Sequence, residues 1–374
     1  MNYRTFGKTG EKVSALGFGA MRLPVVENNG KTRIDEPEAI RIIRYAIDQG
    51  VNYIDTAYPY HNGESEALVG KALQDGYREK TFLATKSPVW QIQSAKDFDN
   101  ILEEQLKKLQ TDHIDFYLLH ALDGQRFDNT VLKFDLLSKL QKAKESGKIR
   151  YMGFSFHDNN EAFHKIVDGW NLWDFCQIQM NYIDINHQAK LEGLEYAASK
   201  GLAIIIMEPL LGGKLANLPD NVRKELSSEK SQVEWALDFL WNRPEVSLLL
   251  SGMSSFEQTK QNITYASKAN IDMFSEKELE MFARAKQIFD TMALVSCTKC
   301  RYCLPCPAGL DIPGIFEAYN TTVSKGKKQA QTLYETFSVR ADACKSCHKC
   351  EKVCPQHIEI SKTMKEISEK LKEA

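Results

Sequence analysis

The regular alternation of short apolar runs with amphipathic stretches is the sequence feature that most constrains the fold. Between about Leu16 and Ala266, eight runs have the length and composition of buried strands: "ALGFGAM", "YIDTA", "TFLATK", "IDFYLLH", "IRYMGFSF", "FCQIQMNY", "AIIIME" and "VSLLLSG". The stretches between them repeat apolar residues three and four apart, as helices do, and Gly50, Gly147 and Gly201 occupy expected helix C-caps. Eight strand–helix units over about 250 residues are typical of a (β/α)8 TIM barrel.

A doubly wound open sheet is the rival α/β fold. Such a sheet usually carries a glycine-rich phosphate turn between its first strand and the next helix. The corresponding segment here, "GFGAMRLP", continues into a proline with no helix behind it. We therefore predict an α/β protein built on a TIM barrel, preceded by a hairpin in "YRTFGKTGEKVS".

Charge and hydropathy exclude several classes of partner. The formal net charge is -2, which gives no electrostatic reason to expect a nucleic acid or an anionic membrane surface. The longest apolar runs, such as "LAIIIM", are far shorter than a membrane span. We expect a cytoplasmic protein with no nucleic-acid or membrane partner.

Eight of the nine cysteines follow residue 296, in the two runs "CTKCRYCLPCP" and "CKSCHKCEKVCP". In a reducing compartment such clusters indicate metal ligands rather than disulfides. Zinc and iron–sulfur sites both use C-x2-C pairs, but the second run has the C-x2-C-x2-C-x3-C-P spacing of bacterial ferredoxins. Structural zinc sites usually separate their two pairs by a longer loop. The spacing therefore favours iron–sulfur clusters.

The two runs predict two [4Fe–4S] clusters with crossed ligands. The first run is one residue shorter before its last cysteine, but in two-cluster ferredoxins the fourth cysteine of a run binds the other cluster. We assign one cluster to Cys297, Cys300, Cys303 and Cys354, and the other to Cys344, Cys347, Cys350 and Cys306.

The cysteine runs also define the predicted domains. The segment between the runs has a helical pattern, so we predict a small, mainly helical, ferredoxin-like iron–sulfur domain over residues 295–374. A connecting helix over 273–294 precedes it, with Ser275 and Glu278 forming a capping box. The barrel is assigned to residues 1–272.

Three polar residues end three successive predicted strands: Asp55 in "YIDTA", Lys86 in "LATK" and His120 in "YLLH". Active sites of TIM barrels lie at the C-terminal ends of the strands, and neighbouring strands are only about 4.8 Å apart. Tyr60 follows on the loop that leaves the first of these strands. We therefore expect these four side chains to cluster.

Such a cluster has a definite chemistry. A phenol is a poor proton donor at neutral pH, and a neighbouring ammonium makes it a better one by favouring the phenolate. Lys86 can act in this way, with Asp55 compensating its buried charge. His120 can hydrogen-bond a carbonyl oxygen. Together the residues can polarise and protonate a carbonyl while hydride arrives at its carbon.

These segments resemble the aldo-keto reductase family, in the subgroup that carries a C-terminal two-cluster [4Fe–4S] ferredoxin-type domain. "DTAYPYHNGESEALVGKAL" is similar to the signature around the family's catalytic Asp and Tyr, and "ATK" and "LLH" are similar to its Lys and His segments. The resemblance spans roughly residues 3–270. It implies that Asp55, Tyr60, Lys86 and His120 form the catalytic tetrad, with Tyr58 as the competing tyrosine.

The resemblance also implies NAD(P)H bound across the barrel rim. It places Ser155 and Gln179 on the nicotinamide carboxamide and Tyr182 against the ring. The alternative is that Ser155 and Gln179 are ordinary polar residues at strand ends.

The last barrel strand leads into a predicted phosphate site. In "SGMSSFEQTKQN" the backbone amides at the start of a helix suit a phosphate. Gly252, Ser254, Ser255 and Asn262 are the cofactor-binding candidates, with simple N-capping as the alternative role of the two serines.

One departure puts the cofactor's identity in doubt. Many NADP-preferring members place a Lys and an Arg in this last segment, where this chain has Gly252 and Gln258. In addition, nicotinamide transfers two electrons as hydride whereas each cluster transfers one, and a flavin handles both. FMN in the barrel, in place of nicotinamide or beside it, is therefore an alternative.

Three functions remain open from the sequence. The leading hypothesis is an NAD(P)-dependent oxidoreductase that interconverts a small-molecule carbonyl and alcohol, coupled to iron–sulfur electron transfer and to a redox partner protein. The second is an electron-transfer protein with an FMN-binding or catalytically quiet barrel. The third is an ordinary reductase whose clusters are only structural.

Overall fold

The computed structural model describes residues 1–28, 30–291, 294–324 and 326–371. Its strands are β1 Tyr3–Thr5, β2 Lys12–Ser14, β3 Leu16–Gly19, β4 Val25–Asn28, β5 Lys31–Ile34, β6 Tyr53–Asp55, β7 Phe82–Ser87, β8 Ile114–Leu122, β9 Ile149–Phe156, β10 Phe175–Gln179, β11 Ala203–Met207 and β12 Val246–Gly252. Its helices are α1 Glu36–Asp48, α2 Ser65–Ala72, α3 Ala95–Leu109, α4 Gly124–Arg126, α5 Leu136–Glu145, α6 Asn160–Asp168, α7 Lys190–Ser199, α8 Asp220–Arg223, α9 Gln232–Trp241, α10 Phe256–Ala266, α11 Glu276–Asp290, α12 Ile312–Ser324, α13 Lys327–Glu335 and α14 Ile360–Lys370.

Eight parallel strands close into a barrel in the order β3, β6, β7, β8, β9, β10, β11 and β12. Each of them overlaps one of the eight apolar runs found in the sequence, with β7 and β8 extending past their runs to Ser87 and Leu122, so the predicted TIM barrel is confirmed. The predicted opening hairpin is also present, as the antiparallel pair β1 and β2.

The helix ends follow from local sequence. Gly50, Gly147 and Gly201 all adopt positive φ, at 94°, 77° and 80°, so each ends its helix in the left-handed conformation that glycine adopts without strain. The chain can therefore turn back into the next barrel strand directly after each helix.

Aromatic side chains close the end of the barrel at which the strands begin. Tyr53, Phe116 and Phe175 are fully buried there. Phe6, from the segment between β1 and β2, packs on them with ring centroids 4.5 Å from Phe116 and 5.5 Å from Phe175. This aromatic plug leaves the C-terminal ends of the strands as the open end of the barrel.

The chain divides into two compact units. The first comprises residues 1–210 and 233–274, and the second comprises 211–232 together with the described residues from 275 onward. The predicted boundaries at 272 and 294 stay predictions. In the stretches that the structure describes, no helix is both long enough and apolar enough to span a bilayer.

The second unit is mainly helical, as predicted. Ser275 and Glu278 form the expected capping box at the start of α11. Gly326 lies between α12 and α13 and has φ 92°. The apolar core of the unit is small and comes largely from α12, α13 and α14, with the partly buried cysteines packed against it.

Candidate functional site

Side-chain alternation brings the predicted polar residues to one face of the barrel. Asp55 is the last residue of β6 and lies two positions after the buried Tyr53, so both side chains point into the barrel. By the same rule Lys86 shares its face with Ala84, and His120 shares its face with Leu118. All three polar groups therefore point inward at the open end of the barrel.

Lys86 forms the centre of the site. Its Nζ donates to Asp55 Oδ1 at 2.6 Å, to Oδ2 at 2.7 Å and to the carbonyl oxygen of Thr56 at 2.7 Å. Burial lowers the pKa of Lys86, opposed by the charge of Asp55. Burial likewise raises the pKa of Asp55, opposed by Lys86. Each charge is therefore tolerated in the interior because of the other.

Tyr60 reaches the same ammonium group from the loop after β6. Its hydroxyl oxygen lies 3.3 Å from Lys86 Nζ, and the ammonium lies 4.9 Å from the centre of its ring. His61 and Asn62 take left-handed backbone angles directly after it, and His61 Nε2 accepts a hydrogen bond from Leu23 N at 3.2 Å. These local contacts fix the loop that carries the phenol.

His120 completes the group. Its ring meets that of Tyr60 edge to face, with centroids 6.1 Å apart, and lies 5.1 Å from the ring of Trp90. Burial, and then the positive charges of Lys86 and other neighbours, lower the pKa of His120 well below its usual value. The imidazole is therefore neutral at neutral pH and retains both a donor and an acceptor nitrogen.

The structure distinguishes the two candidate tyrosines. Tyr58 is only partly buried, and its hydroxyl donates to Glu104 at 3.1 Å. The pKa of Tyr58 is raised, first by burial and then by that carboxylate. Tyr60 is 8% exposed and lies next to Lys86 and His120. Only Tyr60 combines a neighbouring ammonium with a neighbouring imidazole.

A buried network behind Lys86 escaped the sequence analysis. Glu66 Oε1 accepts hydrogen bonds from Thr85 Oγ1 at 2.7 Å and from Gln105 Nε2 at 2.6 Å. Gln105 Nε2 also donates to the carbonyl oxygen of Lys86 at 3.0 Å. The network holds the backbone that presents the ammonium. Its sequence signal is a glutamate, Glu66, two residues before the apolar Leu68 and Val69 in α2.

The predicted nicotinamide residues lie on the next two strands and on the loop that follows the second of them. Ser155 is buried in β9, where its Oγ accepts from Ala121 N at 2.7 Å, so its hydroxyl hydrogen remains available to a ligand. Gln179 ends β10 and donates to Asp184 at 2.9 Å. Tyr182 is buried, and its ring lies 6.0 Å from that of Phe239.

The predicted phosphate segment forms the start of α10. Ser255 Oγ caps the helix by accepting from Gln258 N at 3.2 Å, which is the alternative role weighed for it. Ser254 Oγ donates to the carbonyl oxygen of Arg22 at 2.7 Å. Asn262 is buried and donates to Ser251 Oγ at 3.1 Å.

Arg22 places a cationic side chain against Gly252, where this segment has a glycine in place of a Lys or Arg. A Cβ atom placed on Gly252 would lie 3.0 Å from Arg22 Cβ and 3.3 Å from Arg22 Cδ. The side chain of Arg22 therefore occupies the space that a side chain at position 252 would fill. Arg22 also lies 4.0 Å from Glu208. Sequence reasoning missed it because it follows β3, at the far end of the chain from α10.

Four cysteines from both runs line one cavity in the second unit. Cys344, Cys347 and Cys350 share a cavity of about 90 Å³ with Cys306. This is the set assigned to the second cluster, including the crossed ligand. Ser361 also lines this cavity, and its buried hydroxyl has no hydrogen-bond partner among the described residues.

The other four cysteines also lie near one another. Burial, and then the charges of Cys300, Cys297 and Cys354, raise the pKa of Cys303 to about 12. Cys354 of the second run is therefore close enough to influence the pKa of the Cys303 thiol. The crossed division of the eight cysteines into two ligand sets stays a prediction.

The donor set fits iron–sulfur clusters. Within the described ranges, no three His, Cys, Asp or Glu side chains converge closely enough to hold a single metal ion. A tetrahedral zinc ion needs its four ligands to meet at one point, whereas the thiolates of a cluster bind separate iron atoms. Four thiols that line a space therefore suit a cluster better than a zinc ion. A cluster held in this cavity would have the unpartnered Ser361 hydroxyl in its lining as a candidate hydrogen-bond donor.

Comparisons with known proteins agree with both units. The model of the aldo/keto reductase family matches residues 15–284, and a 4Fe-4S dicluster domain model matches residues 296–359. The chain is 28% identical to L-galactose dehydrogenase of Arabidopsis thaliana over 288 residues, which cover 70% of this chain and 86% of the plant enzyme.

It is 27% identical over 314 residues to the uncharacterized oxidoreductase YqkF of Bacillus subtilis, covering 75% of this chain and 95% of that protein. The solved aldo-keto reductase AKR11C1 of Bacillus halodurans, in its holo form, superposes with a TM-score of 0.64 at 26% identity, covering 76% of this chain and 96% of that one.

Proposed function

We propose a function that starts from one premise: the chain belongs to the aldo/keto reductase family and carries a C-terminal 4Fe-4S ferredoxin-type domain. It is an oxidoreductase, and its barrel interconverts a small-molecule carbonyl and the corresponding alcohol. Tyr60 gives a proton to the carbonyl oxygen and takes it back in the reverse direction. Electrons exchanged at the barrel are coupled to the iron–sulfur domain.

The position of each residue determines its role in proton transfer. His120, neutral because it is buried beside positive charges, donates an N–H hydrogen bond that holds the carbonyl oxygen beside the Tyr60 hydroxyl. Lys86 stabilises negative charge as the phenol loses its proton. Asp55 keeps that ammonium in place and offsets its burial.

NAD(P)H would supply the hydride when bound. Ser155, Gln179 and Tyr182 would hold the nicotinamide, and Gly252, Ser254, Ser255 and Asn262 would hold the phosphates. FMN remains an alternative occupant of the barrel. Cys297, Cys300, Cys303 and Cys354 would bind one [4Fe–4S] cluster, and Cys344, Cys347, Cys350 and Cys306 the other, each transferring one electron.

One observation carries the proposal: the buried ammonium of Lys86 bonds both carboxylate oxygens of Asp55 and lies 3.3 Å from the Tyr60 hydroxyl. The test replaces Tyr60 with Phe and measures reduction of an aromatic aldehyde with NADPH and with NADH. We expect kcat to fall by about 10²- to 10⁴-fold, the usual contribution of a positioned proton donor. Cofactor affinity, measured by fluorescence, should change little.

Tyr58→Phe is the matched control, because it removes a second phenol from the same loop region without touching Lys86. It should keep most of the activity. Unchanged turnover in Tyr60→Phe, or an equal loss in the Tyr58 variant, would refute the assignment of the proton donor.

A further inference from the structure

Two lysines that form no ion pair with any residue the structure describes flank the exposed cysteine of the second run. Cys347 is the exposed member of that run, and Lys345 and Lys349 lie two residues to either side of it, also exposed. All three line the cavity that the four cysteines share. The mouth of the cavity therefore carries positive charge next to a ligand that solvent can reach.

The acidic residues nearby do not neutralise this charge. Glu351 accepts from Ser361 N at 2.7 Å and lies 2.7 Å from His348 Nδ1, so both of its oxygens are engaged. Other cations of the unit are paired: Lys299 with Glu317, and Lys362 with Glu359. Among the described residues, Lys345 and Lys349 make no ion pair.

The local charge contrasts with that of the whole chain. The stretch "CKSCHKCEKVC" contains three lysines and one glutamate, whereas the chain has a formal net charge of -2. Val353 of the same stretch is 36% exposed. A small basic patch centred on an exposed thiol fits a protein surface of complementary charge.

From this arrangement we infer that the surface around Cys347, Lys345 and Lys349 is the docking site for an acidic one-electron carrier protein of the ferredoxin class. The inference rests on the proposed electron-transfer role of the clusters. One electron passes between the carrier and the cluster held by Cys344, Cys347, Cys350 and Cys306, so that one is oxidised as the other is reduced. No bond forms and no proton moves. The lysines attract and orient the carrier, which raises the association rate more than the affinity.

The test uses the full-length protein with its clusters assembled and an acidic [2Fe–2S] ferredoxin as the probe. Stopped-flow absorbance follows electron exchange in both directions, with either protein pre-reduced, over a series of salt concentrations. Photoreduced deazaflavin, a small donor that needs no docking, gives the reference rate for each variant. The wild-type ferredoxin rate should fall steeply with added salt.

The double variant Lys345→Glu/Lys349→Glu should lower the ferredoxin rate, relative to the deazaflavin rate, by about tenfold or more, and should flatten its salt dependence. Lys327→Glu/Lys328→Glu is the matched control, because it makes the same change of charge at two exposed lysines of the same unit that do not line the cavity. It should leave the ratio near the wild-type value.

Two results would overturn the docking site: an unchanged ratio in the Lys345/Lys349 variant, or no exchange with ferredoxin when deazaflavin reduces the clusters. Clusters that even deazaflavin cannot reduce would instead overturn the electron-transfer role on which the site depends. Spin counts by electron paramagnetic resonance show whether each variant still contains its clusters. A rate that falls only because clusters are missing is thereby recognised.

Discussion

The barrel site and the cysteine cavities are built in opposite ways. In the barrel, the reacting groups already touch: Lys86 is fully buried and bonds Asp55 from a strand interior. In the second unit the thiols line a space and lie partly open to solvent, with Cys347 exposed. The polar residues of the barrel site are in mutual contact without any bound group, whereas the cysteines of the second unit would be joined only when a cluster fills the space between them.

The difference follows from the cores that support the two sites. The barrel packs its interior against an aromatic plug at one end and surrounds it with helices, so it can hold an ion pair at the other end. The core of the second unit is small, and small domains usually need a metal or another cross-link to be stable. The clusters are therefore expected to be structural as well as redox-active.

The largest expected effect comes from removing iron. Chelation under anaerobic conditions should abolish the amide protection of residues 296–371, because structural metal sites contribute on the order of 10 kcal/mol to folding. The barrel strands should keep theirs. Hydrogen exchange read by mass spectrometry measures the two regions separately. If residues 296–371 kept their amide protection after chelation, as the barrel strands do, the predicted difference between the two regions would be contradicted.

Breaking the buried ion pair should have the next largest effect, confined to the barrel. Asp55→Asn leaves the Lys86 ammonium buried without its carboxylate, so the free energy of unfolding of the barrel should fall by about 3–5 kcal/mol. The double variant Asp55→Leu/Lys86→Met removes both charges and should lose less stability, although both variants should lose activity.

Urea unfolding followed by tryptophan fluorescence measures the barrel transition in each variant. If the double variant were less stable than Asp55→Asn, the ion pair would contribute net stability to the barrel. It would then do more than offset the free-energy cost of burying its two charges.

Arg22 tests how far the barrel site extends toward the cofactor. Arg22→Gln should weaken NADPH binding by roughly tenfold, since a hydrogen bond to a charged group contributes about 1.5–3 kcal/mol. NADH binding should weaken less, because NADH lacks the 2′-phosphate that a cation at this position would meet. Fluorescence titration gives the dissociation constants of both dinucleotides. An equal loss of affinity for NADPH and NADH would show that Arg22 does not recognise the 2′-phosphate.

The smallest effect is expected at Ser361. Its orphaned hydroxyl should donate to a cluster sulfur, which stabilises the more negative reduced state and raises the reduction potential. Ser361→Ala should therefore lower the potential of the cluster on Cys344, Cys347, Cys350 and Cys306, measured by a redox titration read by electron paramagnetic resonance. The potential of the other cluster is the internal reference.

Ser368→Ala is the variant control for Ser361, because the Ser368 hydroxyl donates to Lys365 O on the same helix. A potential that shifts equally in both variants, or in both clusters, would contradict the hydrogen bond.

Much of the architecture could be predicted from local sequence. Strand length, helical periodicity and three C-cap glycines identified all eight barrel strands, because each signal lies within a few neighbouring residues. Asp55, Lys86 and His120 could be placed together for the same reason: each ends a predicted strand, and a barrel brings strand ends to one rim.

Contacts between distant segments could not be predicted in this way. Arg22 meets Gly252 across 230 positions, and nothing in the local sequence of either residue indicates the other. Glu66 lies in the quoted signature, but its bond to Gln105 depends on how α2 packs beside α3. The hairpin of β4 and β5 was also missed, because its sequence is polar and reads as a loop.

The most direct test of the account is whether hydride electrons taken up at the barrel reach the clusters. One NADPH or NADH carries two electrons, and two clusters accept one each. Mixing one equivalent with the anaerobic full-length protein should therefore bleach the cluster absorbance, which a dithionite titration calibrates. Absorbance that stays constant with either dinucleotide, in protein whose clusters dithionite does bleach, would contradict the coupling and leave the barrel as a reductase acting alone.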